Sequence, residues 1–205
     1  MKRFLYIALL CAALLGTHSS QAQSLDDLMK GLTSLFSSEP AAKEPGAEVH
    51  PATTELLGRL RYDALTIDYK GDSTLASLAV ATLESQLPLI AEKAGFVAGR
   101  DYMEVADDGT MHIVRDGKRA TAYCSSYDEQ TGRASIMMQV DEQTIRIVAT
   151  VIKADGGYRV LFDATELIAL MAKHYSKFEE NTTLQMAKGV IDAYPGIRVG
   201  AVLRK

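Results

Sequence analysis

The sequence predicts a mainly β fold with added helices: an eight-stranded antiparallel up-and-down barrel carrying three accessory helices. Three observations predict it. Short segments alternating apolar and polar residues recur from residue 102 onward, the period of half-buried strands. Turn residues separate them, Asp-Gly above all, because such turns need positive φ that Asp and Gly supply at little cost. The chain then ends on one more alternating segment, Ile197–Arg204, placed to pair with the first, Gly58–Tyr69. Closure removes the exposed edges of a flat sheet. A curled open sheet wrapped on the helices is the alternative.

The elements follow in order. Residues 1–22 read as a secretory leader: Lys2 and Arg3 are followed by the apolar run Phe4–Leu15, and Ser20-Gln21-Ala22 offers small residues for cleavage. That run is shorter than the roughly 20 residues needed to span a bilayer. Within residues 23–36, Ser24–Phe36 reads as an amphipathic helix with Leu25, Leu28, Met29, Leu32, Leu35 and Phe36 on one stripe. Its stripe must rest on its own domain, a partner or a membrane surface, and Asp26 and Asp27 against Lys30 disfavour the membrane. Residues 37–52 form a linker rich in Ser, Glu, Pro, Ala and Gly, without periodicity.

The compact domain is 53–205. After the first strand, Gly58–Tyr69, a helix capped by Asp72 or Ser73 runs to Gly95, kinked at Pro88. The next strands are Tyr102–Ala106, Thr110–Arg115, Lys118–Tyr127, Arg133–Val140, Thr144–Lys153 and Tyr158–Asp163. A helix from Asp163 or Thr165 through Tyr175 follows. Another runs from Thr182 to a stop at Pro195-Gly196, before the last strand. Thr144–Lys153 is apolar on both faces, since Val148 and Ile152 oppose Ile145, Ile147, Ala149 and Val151. One helix is therefore expected to cover it from outside.

Composition excludes several classes. A formal net charge of −4 argues against a nucleic-acid binder, which needs a basic face. No stretch after the leader reaches membrane-spanning length. Of two cysteines, only Cys124 survives removal of the leader, so no internal disulfide is available and Cys124 reads as a small buried hydrophobe.

The chain resembles a lipocalin-like family of unknown function found in exported envelope proteins of gut anaerobes. The likeness rests on ordered motifs: Ala22-Gln23-Ser24, Leu25-Asp26-Asp27-Leu28, Leu56-Leu57-Gly58, Glu92-Lys93-Ala94-Gly95 and Asp107-Asp108-Gly109-Thr110. The Asp128-to-Gly132 turn, Leu161-Phe162-Asp163-Ala164, and Val199-Gly200 with the terminal Leu203-Arg204-Lys205 complete it. The resemblance implies a lipocalin-like barrel with added helices, while the leader leads to the expectation of an exported, periplasmic or secreted location. It implies no activity. Lipocalin-type barrels open on Gly-x-Trp, whereas this chain has Gly58-Arg59-Leu60 and no tryptophan.

No catalytic constellation stands out, so the chain reads as no enzyme. His50, His112 and His174 lack metal-ligand spacing, and neither a metal nor a cofactor is expected. The pairs Asp107-Asp108, Asp128-Glu129, Asp141-Glu142 and Glu179-Glu180 fall at turns or helix starts, where acidic residues have conformational and dipole reasons to be. A hydrolase with dispersed carboxylates is the weakest reading.

The barrel interior is the best candidate, because eight strands enclose a lumen that side chains fill or one small ligand occupies. The inward candidates are Leu60, Tyr62, Met111, Ile113, Ile136, Met138, Ile147, Val160, Phe162 and Val199. The thioethers of Met103, Met111, Met137, Met138, Met171 and Met186 suit an adaptable apolar pocket or fill a core. Tyr62, Tyr102, Tyr123, Tyr127 and Tyr158 give polar orientation at a mouth or simply form strands. The expected function is noncatalytic binding of a small apolar or amphipathic ligand. The alternative is an envelope interaction module engaging a partner protein through Ser24–Phe36.

Overall fold

A computed structural model of the chain describes residues 48–205 except 72, 85–86, 94, 141–142, 175–178 and 181. The expected leader, the Ser24–Phe36 helix and most of the 37–52 linker lie outside the described residues. Eight strands form one closed antiparallel barrel in sequence order. They are β1 (Gly58–Tyr69), β2 (Tyr102–Val105), β3 (Thr110–Arg115), β4 (Lys118–Asp128), β5 (Arg133–Val140), β6 (Gln143–Ala154), β7 (Gly157–Asp163) and β8 (Ile197–Arg204).

Closure depends on β1, which serves two neighbours in turn. Gly58–Arg61 lies opposite Val105–Tyr102 of β2, and Arg61–Tyr69 lies opposite Arg204–Ile197 of β8. The register shifts between Tyr62 and Ala64, a bulge that lets one long strand bend from one neighbour to the other. The end at which β1 starts is called the lower end here, and the opposite one the upper.

Helices flank both ends. A short α1 (Thr53–Leu56) leads into β1 at the lower end. At the upper end, α2 (Thr74–Glu84) and α3 (Leu87–Lys93) connect β1 to β2 and pack on β1. Ser73 caps α2, its Oγ accepting from the Ala76 N–H at 3.2 Å. Pro88 falls in the first turn of α3, where a missing N–H costs nothing. Between β7 and β8, α4 (Ala164–His174) packs on both strands and α5 (Thr182–Ala193) packs on α4. Buried Ala164, Leu167, Ile168 and Met171 form the inner stripe of α4, and Asp163 Oδ1 caps it by accepting from the Glu166 N–H at 3.0 Å.

Strand alternation follows the expected faces. Ala134 and Ile136 of β5, and Ile145, Ile147, Ala149 and Val151 of β6, are buried in one core with Leu60, Leu65 and Ile67 of β1. The outer face of β6 corrects one expectation. Ile152 is buried as predicted, yet the helices make their main contacts with β1, β7 and β8. Beside Ile152 runs the chain that precedes the barrel: Val49 accepts from the Lys153 N–H at 2.7 Å, and His50 Nδ1–H donates to the Val151 carbonyl at 2.9 Å.

The same segment is held by charge. Glu48 accepts from Arg198 at 2.7 Å and from Lys70 at 2.8 Å, and Arg198 also pairs with Asp68. Gly132 makes room for it. A Cβ there would stand 2.2 Å from His50 Nδ1 and 2.4 Å from the Val151 carbonyl, at a φ of +64° that disfavours side chains in any case.

Candidate functional site

The two ends of the lumen differ. At the lower end, two inward tyrosines of the barrel wall fasten the leading segment across the opening. Tyr127 donates its hydroxyl hydrogen to the Pro51 carbonyl at 2.8 Å and Tyr158 donates to the Glu55 carbonyl at 3.0 Å. Pro51 is fully buried there. Both phenols spend their polar atom on backbone and their rings on the core.

Towards the upper end the side chains do not meet. They leave a cavity of about 380 Å³, within the size range of small-molecule sites. Eight of the ten inward candidates line it: Tyr62, Met111, Ile113, Ile136, Met138, Ile147, Val160 and Phe162. Leu60 and Val199 do not. Leu60 is completely enclosed, and Val199, opposite Ile67 and Phe162, is 8% exposed within the core. Both face inward as expected, but alternation gives a residue's face and not whether its neighbours leave space beside it; their partners Met103 and Phe162 do border the cavity.

Two charged residues of the cavity, Asp101 and Arg115, meet the loop that packs beside Tyr62. The Tyr62 backbone is clamped: Tyr62 N–H donates to the Asp101 carbonyl and Gly99 N–H donates to the Tyr62 carbonyl, both at 2.8 Å. This places the loop carrying Phe96 against the wall, with the Phe96 ring 5.1 Å from the Tyr62 ring. The Arg115 guanidinium lies 4.9 Å from the centre of that same Phe96 ring. Asp101, 3% exposed, locks the arrangement. Its carboxylate accepts from Val97 N–H at 2.9 Å, Arg100 at 3.1 Å and Asp116 N–H at 3.2 Å, joining the Phe96 loop to the β3–β4 turn.

The Tyr62 hydroxyl is different from those of Tyr127 and Tyr158. It is buried and makes no hydrogen bond of ordinary geometry among the described residues. Burial pushes its pKa up to about 12; the nearby Leu65 backbone offsets part of that, and the charges of Asp101 and Asp63 add to it. At neutral pH it is therefore a protonated phenol.

One comparison identifies the family. Residues 32–205 match the family model described as a lipocalin-like domain, DUF4923. The chain belongs to that family. No curated protein and no solved structure matches the chain. A lipocalin-like barrel is a binding-type fold, and such folds are typically non-enzymatic.

Other candidates sort by position in this lipocalin-like domain. Met103, Met111 and Met138 line the cavity, Met171 belongs to the core, Met137 faces outward, and the side chain of Met186 lies outside the described set. Tyr102 reaches the cavity, while Tyr123 is exposed on the outer face of β4. Cys124 is half-buried and unpaired by disulfide. Burial pushes its thiol up, and its Sγ–H donates to the Ser126 carbonyl at 3.4 Å. Among the described residues, no group of three His, Cys, Asp or Glu is arranged to hold a metal.

Sequence reading missed Phe96, Asp101, Arg115 and Arg119 of this lipocalin-like site. For Arg115 a signal existed. It continues the odd positions Met111 and Ile113, so it shares their inward face. The sequence reading ends the strand at Arg115 but assigns that residue no inward face. Phe96 and Asp101 sit in a loop placed by tertiary hydrogen bonds, and no periodicity announces them.

Proposed function

We propose that this protein is a noncatalytic binding protein that holds a small apolar or amphipathic molecule in the upper part of its barrel. The observation that carries the reading is the cavity of about 380 Å³, walled mainly by Met, Ile, Val, Phe and Leu side chains, with few polar groups. A barrel used as a filled scaffold would close this space, because packed cores leave few voids larger than a water. Two of the polar exceptions, Asp101 and Arg115, are joined through the Phe96 loop, which suits a ligand with a polar end. The leader features at residues 1–22 support export, to the periplasm or beyond.

Native mass spectrometry of protein purified from its own host tests the reading. A copurifying small molecule is expected, released on denaturation. The variant Ala122→Phe fills the lumen from a residue that is 4% exposed and lines the cavity. It should purify folded and empty. Wild-type protein that carries nothing, and that binds no added neutral or charged amphiphile, would overturn the proposal.

A further inference from the structure

The way into the cavity follows from where the barrel wall parts, and the inference rests on the lumen-binding reading above. We infer that the cavity loads sideways: an amphiphile enters tail first through a notch between β4 and β5, and its polar end stays in that notch, among Arg119, Thr121 and Gln139, instead of being enclosed.

Three observations carry it. First, the β4–β5 ladder stops early. Among the described residues its last pair is Ala122 with Met138, and the next in register, Thr121 with Gln139, does not form. Both strands nevertheless run on. Lys118–Thr121 stays paired with Arg115–His112 of β3, and Gln139–Val140 with Thr144–Gln143 of β6. The wall is thus regular on either side of the parting and open within it. Second, the cavity reaches that opening. Ala122 and Met138 face inward, so Thr121 and Gln139, one position along each strand, face outward, and both are exposed. They border the cavity all the same, as does exposed Arg119. An outward residue borders an inner space only where the wall between them is open. Third, the lip and the interior differ in chemistry. Met111, Ile136 and Met138 offer apolar surface inside. The lip carries a guanidinium, a hydroxyl and an amide: Thr121 Oγ1 lies 3.3 Å from His112 Nδ1, and Gln139 Oε1 accepts from the Thr144 hydroxyl at 3.0 Å. A polar end left on this lip keeps its hydrogen bonds and avoids the cost of burial, while the tail gains the apolar interior.

A bare strand edge also invites a strand of another chain. Lys118 and Arg119 oppose that here, since charge on an edge strand is what keeps it from pairing. Size agrees with an outside head. At roughly 30 Å³ per non-hydrogen group, the share of a water in the liquid, a space of about 380 Å³ takes on the order of a dozen such atoms. A decyl tail fits that measure, and a decyl tail together with a sugar head exceeds it.

The test uses the full chain and two neutral ligands that share one tail, 1-decanol and decyl maltoside, titrated calorimetrically. With the head left in the notch, decyl maltoside is expected to bind within about tenfold of 1-decanol. The chain has no tryptophan, so Gln139→Trp places a single indole on the lip. Its emission should shift when either ligand binds. That of Val49→Trp, at an exposed position that does not line the cavity, should not. The double variant Thr121→Trp/Gln139→Trp sets two indoles across the notch at exposed positions, where they leave the core undisturbed. Stopped-flow uptake and release of N-phenyl-1-naphthylamine, a neutral fluorophore that brightens in apolar surroundings, should both slow about tenfold in it with their ratio little changed, because a plug in the route alters rates and not end states.

Decyl maltoside that fails to bind where 1-decanol binds would overturn the notch and leave the container reading standing. A silent Gln139→Trp, or wild-type rates in the double variant, would each do the same. If none of the three probes binds the wild-type protein, both readings fall.

Discussion

The Tyr127 hydroxyl donates a hydrogen bond to the carbonyl of Pro51 at 2.8 Å, joining residues 76 positions apart in the chain. With Tyr158 and Glu55 it seals the lower end of the barrel from inside. Removing either hydroxyl leaves a carbonyl without its donor, which is the costly half of a broken hydrogen bond. Tyr127→Phe and Tyr158→Phe should each lose about 1 kcal/mol of stability in urea unfolding. Neither should change binding at the upper end, since neither residue lines the cavity.

Two glycines of positive φ separate conformation from contact. Gly117 (φ +71°) has nothing within 4 Å of a built Cβ, whereas Gly132 (φ +64°) would drive its Cβ into His50 and the Val151 carbonyl. Gly117→Ala should cost only the left-handed penalty of about 1–2 kcal/mol. Gly132→Ala should cost clearly more, at least about 3 kcal/mol, because the leading segment must also lift from the barrel. Equal losses in denaturant midpoints would show that residues 48–52 are not seated as described.

Much of the fold is legible in the sequence, because period-two alternation and Asp-Gly turns are local signals. Ile197–Arg204 and Gly58–Tyr69 pair as their apolar faces predict. The helices at the upper end are legible in the same way, from the stripe Leu167, Ile168 and Met171. The site is legible by face, but which inward residues border empty space is not. Alternation placed Leu60 and Val199 inward beside Tyr62 and Phe162, yet only the latter two border the cavity. What seals the lower end was not legible at all. Pro51 and Glu55 act there through their carbonyls, which every residue type possesses, so their identity carries no signal. The cover over Ile152 escaped for the same reason: Val49 contributes a carbonyl from a stretch without periodicity.

Alkaline titration should find Tyr62 and Tyr127 to be late phenols. Burial pushes both Tyr62 and Tyr127 up to about 12; charges of Glu129, Glu55 and Asp128 add to the effect at Tyr127. A phenol whose folded pKa lies above its ordinary 10.0 contributes stability that is complete below pH 10 and is lost as pH rises toward 12. The phenolate absorbance of these two should therefore rise late and together with unfolding. In Tyr62→Phe the loss of stability above pH 10 should be smaller. Titration of Tyr62 and Tyr127 at the ordinary value would mean that water reaches both rings.

At the acid end, Glu48 sets the sign. Burial alone would raise its carboxyl, but hydrogen bonds from Lys70 and Arg198 and their charges outweigh it and hold the group below its ordinary 4.5. A carboxyl lowered in this way stabilises the fold above pH 4.5, and that contribution disappears as pH falls through the lowered value. Glu48→Gln should thus be less stable than wild type at neutral pH. The gap between their urea midpoints should shrink below pH 4.5 and vanish in stronger acid. Arg198, 10% exposed at its side chain, retains Asp68 in the variant, so its charge is not left buried and alone. A gap that stays constant across the acid range would assign the Glu48 effect to packing rather than to charge, and would remove the electrostatic hold on the segment that leads into the barrel.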